Sequence, residues 1–327
     1  MNPLLALRQQ VVRPRTLVPA VIAGLGLVLG MRAILGISPM AIWAELADAN
    51  PLLLALAIGV FYLTFPVRAL RWRALLENAG QRDLPSLARL TRIMVLGSFA
   101  NSVSVAQLGD LYRGYQLKQA AQVSLPMTLG TILAERLIDL VTLVALLACA
   151  ALSVYRGRLP QQGVDALLGG VVIGVLGLLG LMALPRARPL VPARWSQAYE
   201  RFEQGAVCSL RRLPLLIGYS VAGWLIEGAT LWLLGAAIGL DLSSSAALVA
   251  GLVASLLSVE PLTPGGLGVT EPGIVLVLTT LGIAAPAASA IALLNRLVNY
   301  ASLAVAAGAV SLLPRSRRRT MQTLEFA

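Results

Sequence analysis

The sequence predicts an all-α polytopic membrane protein, with about six transmembrane helices plus two re-entrant helical hairpins in an inverted repeat. Three observations carry that prediction. Hydrophobic residues fill 57% of the 327 positions and charged residues 13%, more apolar surface than one soluble core needs. The arginines cluster between the apolar runs, where the positive-inside rule puts them. Finally, LPMTLGTILAERLIDL from Leu125 and APAASAIALLNRLVNY from Ala285 follow one pattern. Each opens with a proline (Pro126, Pro286), carries an arginine ten positions later (Arg136, Arg296) and a polar residue three beyond (Asp139, Asn299).

Six apolar stretches are long enough for a hydrocarbon core of about 30 Å, which takes roughly 20 helical residues. They lie near Thr16–Leu35, Pro51–Val67, Pro126–Val154, Ala166–Leu184, Leu215–Leu240 and Pro286–Leu313. The second is short and extends naturally into the arginine-rich residues after it. Two further runs, Ile93–Ala106 and Ala246–Val259, are too short to span and end in polar or Gly/Pro-rich sequence, the signature of re-entrant segments. With both termini in the cytoplasm, the expected inside carries Arg8, Arg13, Arg15, the run Arg68 to Lys118, Arg186 to Arg212 and Arg315 to Arg319. The outside keeps Arg32, Arg156 and Arg158. That asymmetry requires both short runs to return to the side they entered from.

The expected organisation is one membrane domain, 1–327. Residues 1–50 form an N-terminal helix region, 51–154 a first repeat and 155–213 a connecting helix with a cytoplasmic amphipathic linker. Residues 214–314 form a second, inverted repeat, and 315–327 a basic tail. Inverted repeats are a device of secondary transporters, with the binding site near the bilayer midplane.

Net charge is +11, but its placement between apolar runs points to topology and not to nucleic acid. The absence of histidine excludes Ser–His–Asp and Cys–His catalysis and imidazole relays. Cys149 and Cys208 cannot make a zinc site. Lys118 is the single lysine, with no GxxxxGK[ST] around it, so no nucleotide loop is expected. Arg8, Arg13 and Arg15 precede an apolar run without a convincing cleavage site, so no cleaved signal is expected.

An arginine in apolar surroundings costs about 2.5–3.5 kcal/mol on insertion scales, so it marks function or a buried ion pair. Ten residues place Arg136 and Arg296 roughly 15 Å along their helices. Glu135, Arg136 and Asp139 share a helical face, as do Asn295, Arg296 and Asn299. Arg136 therefore has a partner at hand in Asp139 or Glu135. Arg296 must take Glu260, Glu271 or an anionic ligand. In PLTPGGLGVTEPG, Pro261, Pro264 and Pro272 stop helices while Gly265, Gly266 and Gly268 permit close approach and positive φ. NSVSVAQLGDLYRG supplies Asn101, Gln107, Gly109, Asp110 and Arg113 at the corresponding place. Broken helix ends of this kind hold charged substrates in transporters.

The order Asn…LGD..R, ERLID, P..PGGLG..E and a late arginine resembles the lysylphosphatidylglycerol synthase transmembrane-region family, also called flippase-like domain proteins. The resemblance runs from about Pro51 to Leu313. It implies movement of lipids or lipid-linked molecules between leaflets, as in the flippase half of the multiple peptide resistance factor. It also maps the family's motif onto Asn101, Gly109, Asp110, Arg113, Glu135, Arg136, Asp139, Pro264, Gly265, Gly266, Gly268, Glu271 and Arg296. The chain departs from it at Val105, Ala106 and Gln107, where the family has Pro-x-Arg, and at Asp110, where Glu is common. It ends 14 residues after Leu313, so no aminoacyl-transferase domain is expected.

The expected function is a lipid translocator in the plasma or inner membrane, not an enzyme, with no cofactor and no metal. Its expected partner is a membrane lipid or lipid-linked substrate, with a possible homo-oligomer. The expected coupling handle is a carboxylate at Asp110, Glu260 or Glu271. An intramembrane lipid-linked transferase and an ion or small-solute transporter remain the alternatives.

Overall fold

A computed structural model describes residues 38–104, 107–155, 161–258 and 264–312, excluding the side chains of residues 162, 166, 264 and 312. Every regular element among them is helical. They are α1 (Pro39–Ala47), α2 (Pro51–Asn78), α3 (Leu87–Val103), α4 (Leu108–Ala121), α5 (Leu125–Val154), α6 (Gln161–Ala187) and α7 (Ala193–Glu203). Then come α8 (Leu213–Ala237), α9 (Ser244–Ser258), α10 (Thr270–Thr280), α11 (Ala285–Arg296) and α12 (Leu303–Leu312). A wide π turn, Leu297–Ser302, joins α11 to α12. Four single helices, α2, α5, α6 and α8, and the continuous α11–α12 run are long and apolar enough to cross a bilayer. The expected span Thr16–Leu35 lies outside the described residues.

Local chemistry sets the helix starts. The Asn50 side chain accepts from the amides of Leu52 at 2.9 Å and Leu53 at 3.3 Å, and Pro51 occupies the first turn, where a missing N–H costs nothing. Pro126 and Pro286 likewise sit in the first turns of α5 and α11. The matched prolines are thus helix starters, and they fix the distance from each helix start to its arginine.

The second helix is longer than the sequence boundary at Val67. It continues unbroken to Asn78, so Arg68 and Arg71 lie within it. Arg71 is 3% exposed and Arg113 is also buried, so neither is one of the solvent-facing charges that the expected topology counts. An arginine near an apolar boundary reads as topology in sequence; only tertiary contacts reveal an acid across from it. The charge argument for re-entrance loses those residues.

Helices α2 and α8 make the most extensive contact in the fold. Helices α3 and α4 pair as one hairpin, α9 and α10 as another, and each reaches across. Helix α9 packs on α5, while α3 packs on α12 and on the Pro264–Gly266 turn. Apolar cores fill these contacts, with Trp72, Leu75, Leu90, Met94 and Leu234 fully buried in the largest. Helix α6 leaves Val172, Ile173, Leu176, Leu179 and Met182 exposed, an apolar surface suited to lipid. The linker helix α7 forms as expected and docks against α5. Its buried Glu203 accepts from Arg188 at 2.5 and 2.8 Å.

Candidate functional site

A cavity of roughly 230 Å³ opens between the two hairpins and α2, α5, α8 and α11. Both sequence-matched arginines, Arg136 and Arg296, line it, with Asn101, Gln107, Gly265 and Asn299. Most of the other predicted residues that the structure describes lie outside this lining and hold it by hydrogen bonds and ion pairs.

In the first half, Gly109 N–H at the start of α4 donates to Asn101 Oδ1 at 2.7 Å, so the end of α3 caps the helix that follows. A side chain at Gly109 would run into the Gly97 carbonyl and the Asn101 amide, which is why the LGD segment needs glycine there. Gln107 sits in the left-handed region, φ 53°, at the corner of the hairpin. This geometry sets Asp110 in the first turn of α4, where it accepts from Arg136 at 2.8 Å and from Arg113 at 3.4 Å. A carboxylate there also complements the helix dipole.

Arg136 therefore finds its partner on α4, not in Asp139 or Glu135 as its own helix offers. Those acids are already engaged. Glu135 accepts from Arg71 at 2.9 Å and from Arg113 at 2.7 Å. Asp139 accepts from Arg71 through both oxygens. Arg71 also donates to Ser220 at 2.6 Å, and the Arg113 guanidinium lies over the Trp72 ring at 4.6 Å. This network ties α2, α4, α5 and α8 together. Shared, hydrogen-bonded geometry of this kind is what a buried ion pair needs to offset desolvation.

In the second half, Arg296 pairs with Glu271 of α10, one of the three partners expected, and with the Thr270 hydroxyl. It also donates to the Gly265 and Gly266 carbonyls at 3.1 and 2.8 Å and lies 4.5 Å from the Tyr300 ring centre. Glu271 in turn accepts from Gly268 N–H at 2.9 Å. Gly265 takes φ 54°, and Tyr300 packs so tightly on it that a side chain has no room. The expected positive φ at Gly265, Gly266 and Gly268 is present. Arg296 is thus mostly occupied in holding the broken segment. Asn299 donates to Asn295 within its own turn, at 2.8 Å to the side-chain oxygen. Pro264 begins the tight turn, and Glu260 lies outside the described residues.

Two charged groups on the cavity wall escaped the sequence reading: Arg68 of α2 and Glu227 of α8. Among the described residues neither makes a hydrogen bond or ion pair, although each feels the other's charge, and Arg68 is also repelled by Arg71 and Arg136. Glu227 had a signal: a lone carboxylate inside an apolar helix is costly. Arg68 had none, because it read as a boundary charge. Arg136 is also available, with a side chain 39% exposed and a buried Nε without a partner. The arrangement offers an anion the free donors of Arg68 and Arg136, beside one unclaimed carboxylate.

The profile of the lysylphosphatidylglycerol synthase TM region matches residues 17–308 of this chain. A UPF0104 membrane protein of Methanocaldococcus jannaschii is 34% identical over 209 residues, covering 63% of this chain and 89% of that protein. Glycosyltransferase AglD of Haloferax volcanii is 28% identical over 340 residues, covering 90% of this chain but only 54% of AglD. A UPF0104 membrane protein of Methanothermobacter thermautotrophicus is 25% identical over 302 residues, covering 84% and 87%.

Proposed function

Because this chain belongs to the lysylphosphatidylglycerol synthase transmembrane-region family and is a multi-pass membrane protein, we propose that it moves a phosphate-bearing lipid between leaflets. The headgroup passes through the cavity while the acyl chains stay in lipid. The observation that carries this reading is the pair Arg68 and Arg136, two guanidinium groups that line the same cavity. Both have donors that no acceptor among the described residues uses. An anion placed between them relieves their mutual repulsion, and guanidinium geometry matches phosphate oxygens.

The hairpins supply the rest of the path. On this reading they are re-entrant, entering from opposite faces of the membrane and meeting at its midplane, as in inverted-repeat carriers. The name of one relative, a glycosyltransferase, adds lipid-linked sugars to the headgroups worth testing. Asn101, Asn295, Asn299 and Trp224, which also line the cavity, suit such a headgroup.

Purified protein reconstituted into vesicles with fluorescent phosphatidylglycerol tests the proposal. Exchange of label between leaflets faster than in empty vesicles is the expected result. Chemical turnover of the lipid without exchange favours an intramembrane transferase instead. Solute uptake without lipid movement favours an ion or small-solute carrier. Either outcome removes the translocator reading.

A further inference from the structure

Glu227 stands one helical turn from Trp224 on α8, and both line the cavity. From this arrangement we infer that the cavity loads its phosphate-bearing headgroup together with one proton, and that Glu227 is the group that takes it. The inference rests on the headgroup reading of the cavity given above.

Charge balance is the first argument. Around the cavity Arg68, Arg71, Arg113, Arg136 and Arg296 face Asp110, Glu135, Asp139, Glu227 and Glu271, equal numbers of each sign among the described residues. A phosphate monoanion entering this balanced set of described residues adds an excess negative charge where the dielectric is low, which is costly. A proton taken from water onto the Glu227 carboxylate restores neutrality and leaves again with the headgroup.

The second argument selects the residue. Asp110 is held by Arg113 and Arg136, Glu135 by Arg71 and Arg113, Asp139 by Arg71, and Glu271 by Arg296. Protonating Glu271 strands the nearly buried Arg296, and protonating Asp110, Glu135 or Asp139 takes an ion-pair partner from Arg71, Arg113 or Arg136; breaking a buried pair costs several kcal/mol in general. Among the described residues Glu227 has no such bond to lose. Asp110 and Glu271, two of the handles the sequence offers, are therefore the wrong groups, and Glu260, the third, lies outside the described residues.

The surroundings give the coupling. Among the helices packed on α8, α2 brings Arg68 and Arg71, α5 brings Glu135, Arg136 and Asp139, and α11 brings Arg296. Helix α9 carries no titratable side chain. The Glu227 stem lies against Gly251 of α9. Arg68 is the cation whose charge Glu227 feels. A phosphate seated on Arg68 cancels that attraction and adds its own negative charge, so headgroup and proton favour each other's binding reciprocally.

The test is calorimetric titration of the detergent-solubilised protein with dioctanoyl phosphatidylglycerol, in buffers of differing ionisation enthalpy. Wild-type protein is expected to take up about one proton per lipid bound, with affinity falling about tenfold per pH unit once Glu227 ionises in the empty site. Glu227→Gln is expected to bind with no proton uptake and no pH slope, while Glu77→Gln, in an exposed pair with Arg73 outside the cavity lining, keeps both. Lipid binding to wild-type protein without proton uptake overturns this inference and leaves the headgroup site standing. Uptake that persists in a folded Glu227→Gln protein overturns it too. Absence of lipid binding overturns the headgroup reading itself. The wild-type measurement decides the matter even where the variant fails to fold.

Discussion

Arg136 on α5 donates to Asp110 in the first turn of α4 at 2.8 Å, across 26 positions of chain. Arg296 on α11 makes the equivalent contact with Glu271, in the first turn of α10, across 25 positions. In both halves the arginine of a proline-started helix reaches the acid that opens the second helix of a hairpin. The hairpins also pack reciprocally, each on the long helix of the other half. The two halves differ in burial. Glu271 is fully buried and Arg296 nearly so, whereas Arg136 keeps a side chain 39% exposed.

That difference predicts unequal costs. Glu271→Gln leaves a buried guanidinium uncompensated and is expected to destabilise the fold by about 3–5 kcal/mol. Asp110→Asn is expected to cost less, because Arg136 retains access to water in the cavity. Thermal melting of the two variants in detergent checks the order. An equal loss contradicts the separate roles given to the two arginines.

Close approach predicts a second pair. Gly109→Ala must displace the Gly97 carbonyl or the Asn101 amide, and Gly265→Ala must displace Tyr300 at a positive φ. Each is expected to cost on the order of 1–3 kcal/mol, as overpacking does. Gly223→Ala, with open space around it, is the control and should melt like the parent.

The Arg71 network predicts a third effect. Arg71→Met removes the donor shared by Glu135, Asp139 and Ser220 and strands carboxylate charge in the core. Loss of folded protein, seen as aggregation in size-exclusion chromatography, is the expected outcome. Arg73→Met at the exposed end of α2 removes only an exposed pair with Glu77, expected to contribute at most about 1 kcal/mol.

Much of this arrangement was legible from residues alone. Hydropathy located the long helices, and the PGGLG and LGD breaks located the hairpin corners. Glu271 stood among three possible partners of Arg296. What stayed hidden depended on contacts between helices. Asp139 and Glu135 looked like partners of Arg136 because they share its face, but Arg71 and Arg113 approach that face from other helices and occupy them. Arg68 and Arg71 were hidden by their position, since a cation at the end of an apolar run reads as a boundary. Glu227 was visible as an isolated acid in an apolar helix, yet no nearby motif drew attention to it.

Topology gives a fourth prediction. Cysteines placed singly at Ser243 and Ala284, both exposed loop residues flanking the second hairpin, should label from one side of the membrane in a background lacking Cys149 and Cys208. Ser86 and Gln122, which flank the first hairpin, should label from the opposite side. Labelling of Ser243 and Ala284 from different sides contradicts re-entrance.

The most direct measurement captures what fills the cavity. A benzophenone side chain at Asn299, irradiated in native membranes, should yield an adduct with a phosphate-bearing lipid by mass spectrometry, and that adduct should vanish in Arg68→Ala/Arg136→Ala protein that still folds. The same probe at Leu176, exposed on the apolar face of α6, should capture bulk lipid in both backgrounds. If Asn299 captures no lipid while Leu176 does, or if its adduct survives loss of both arginines, the cavity does not hold a headgroup by its phosphate.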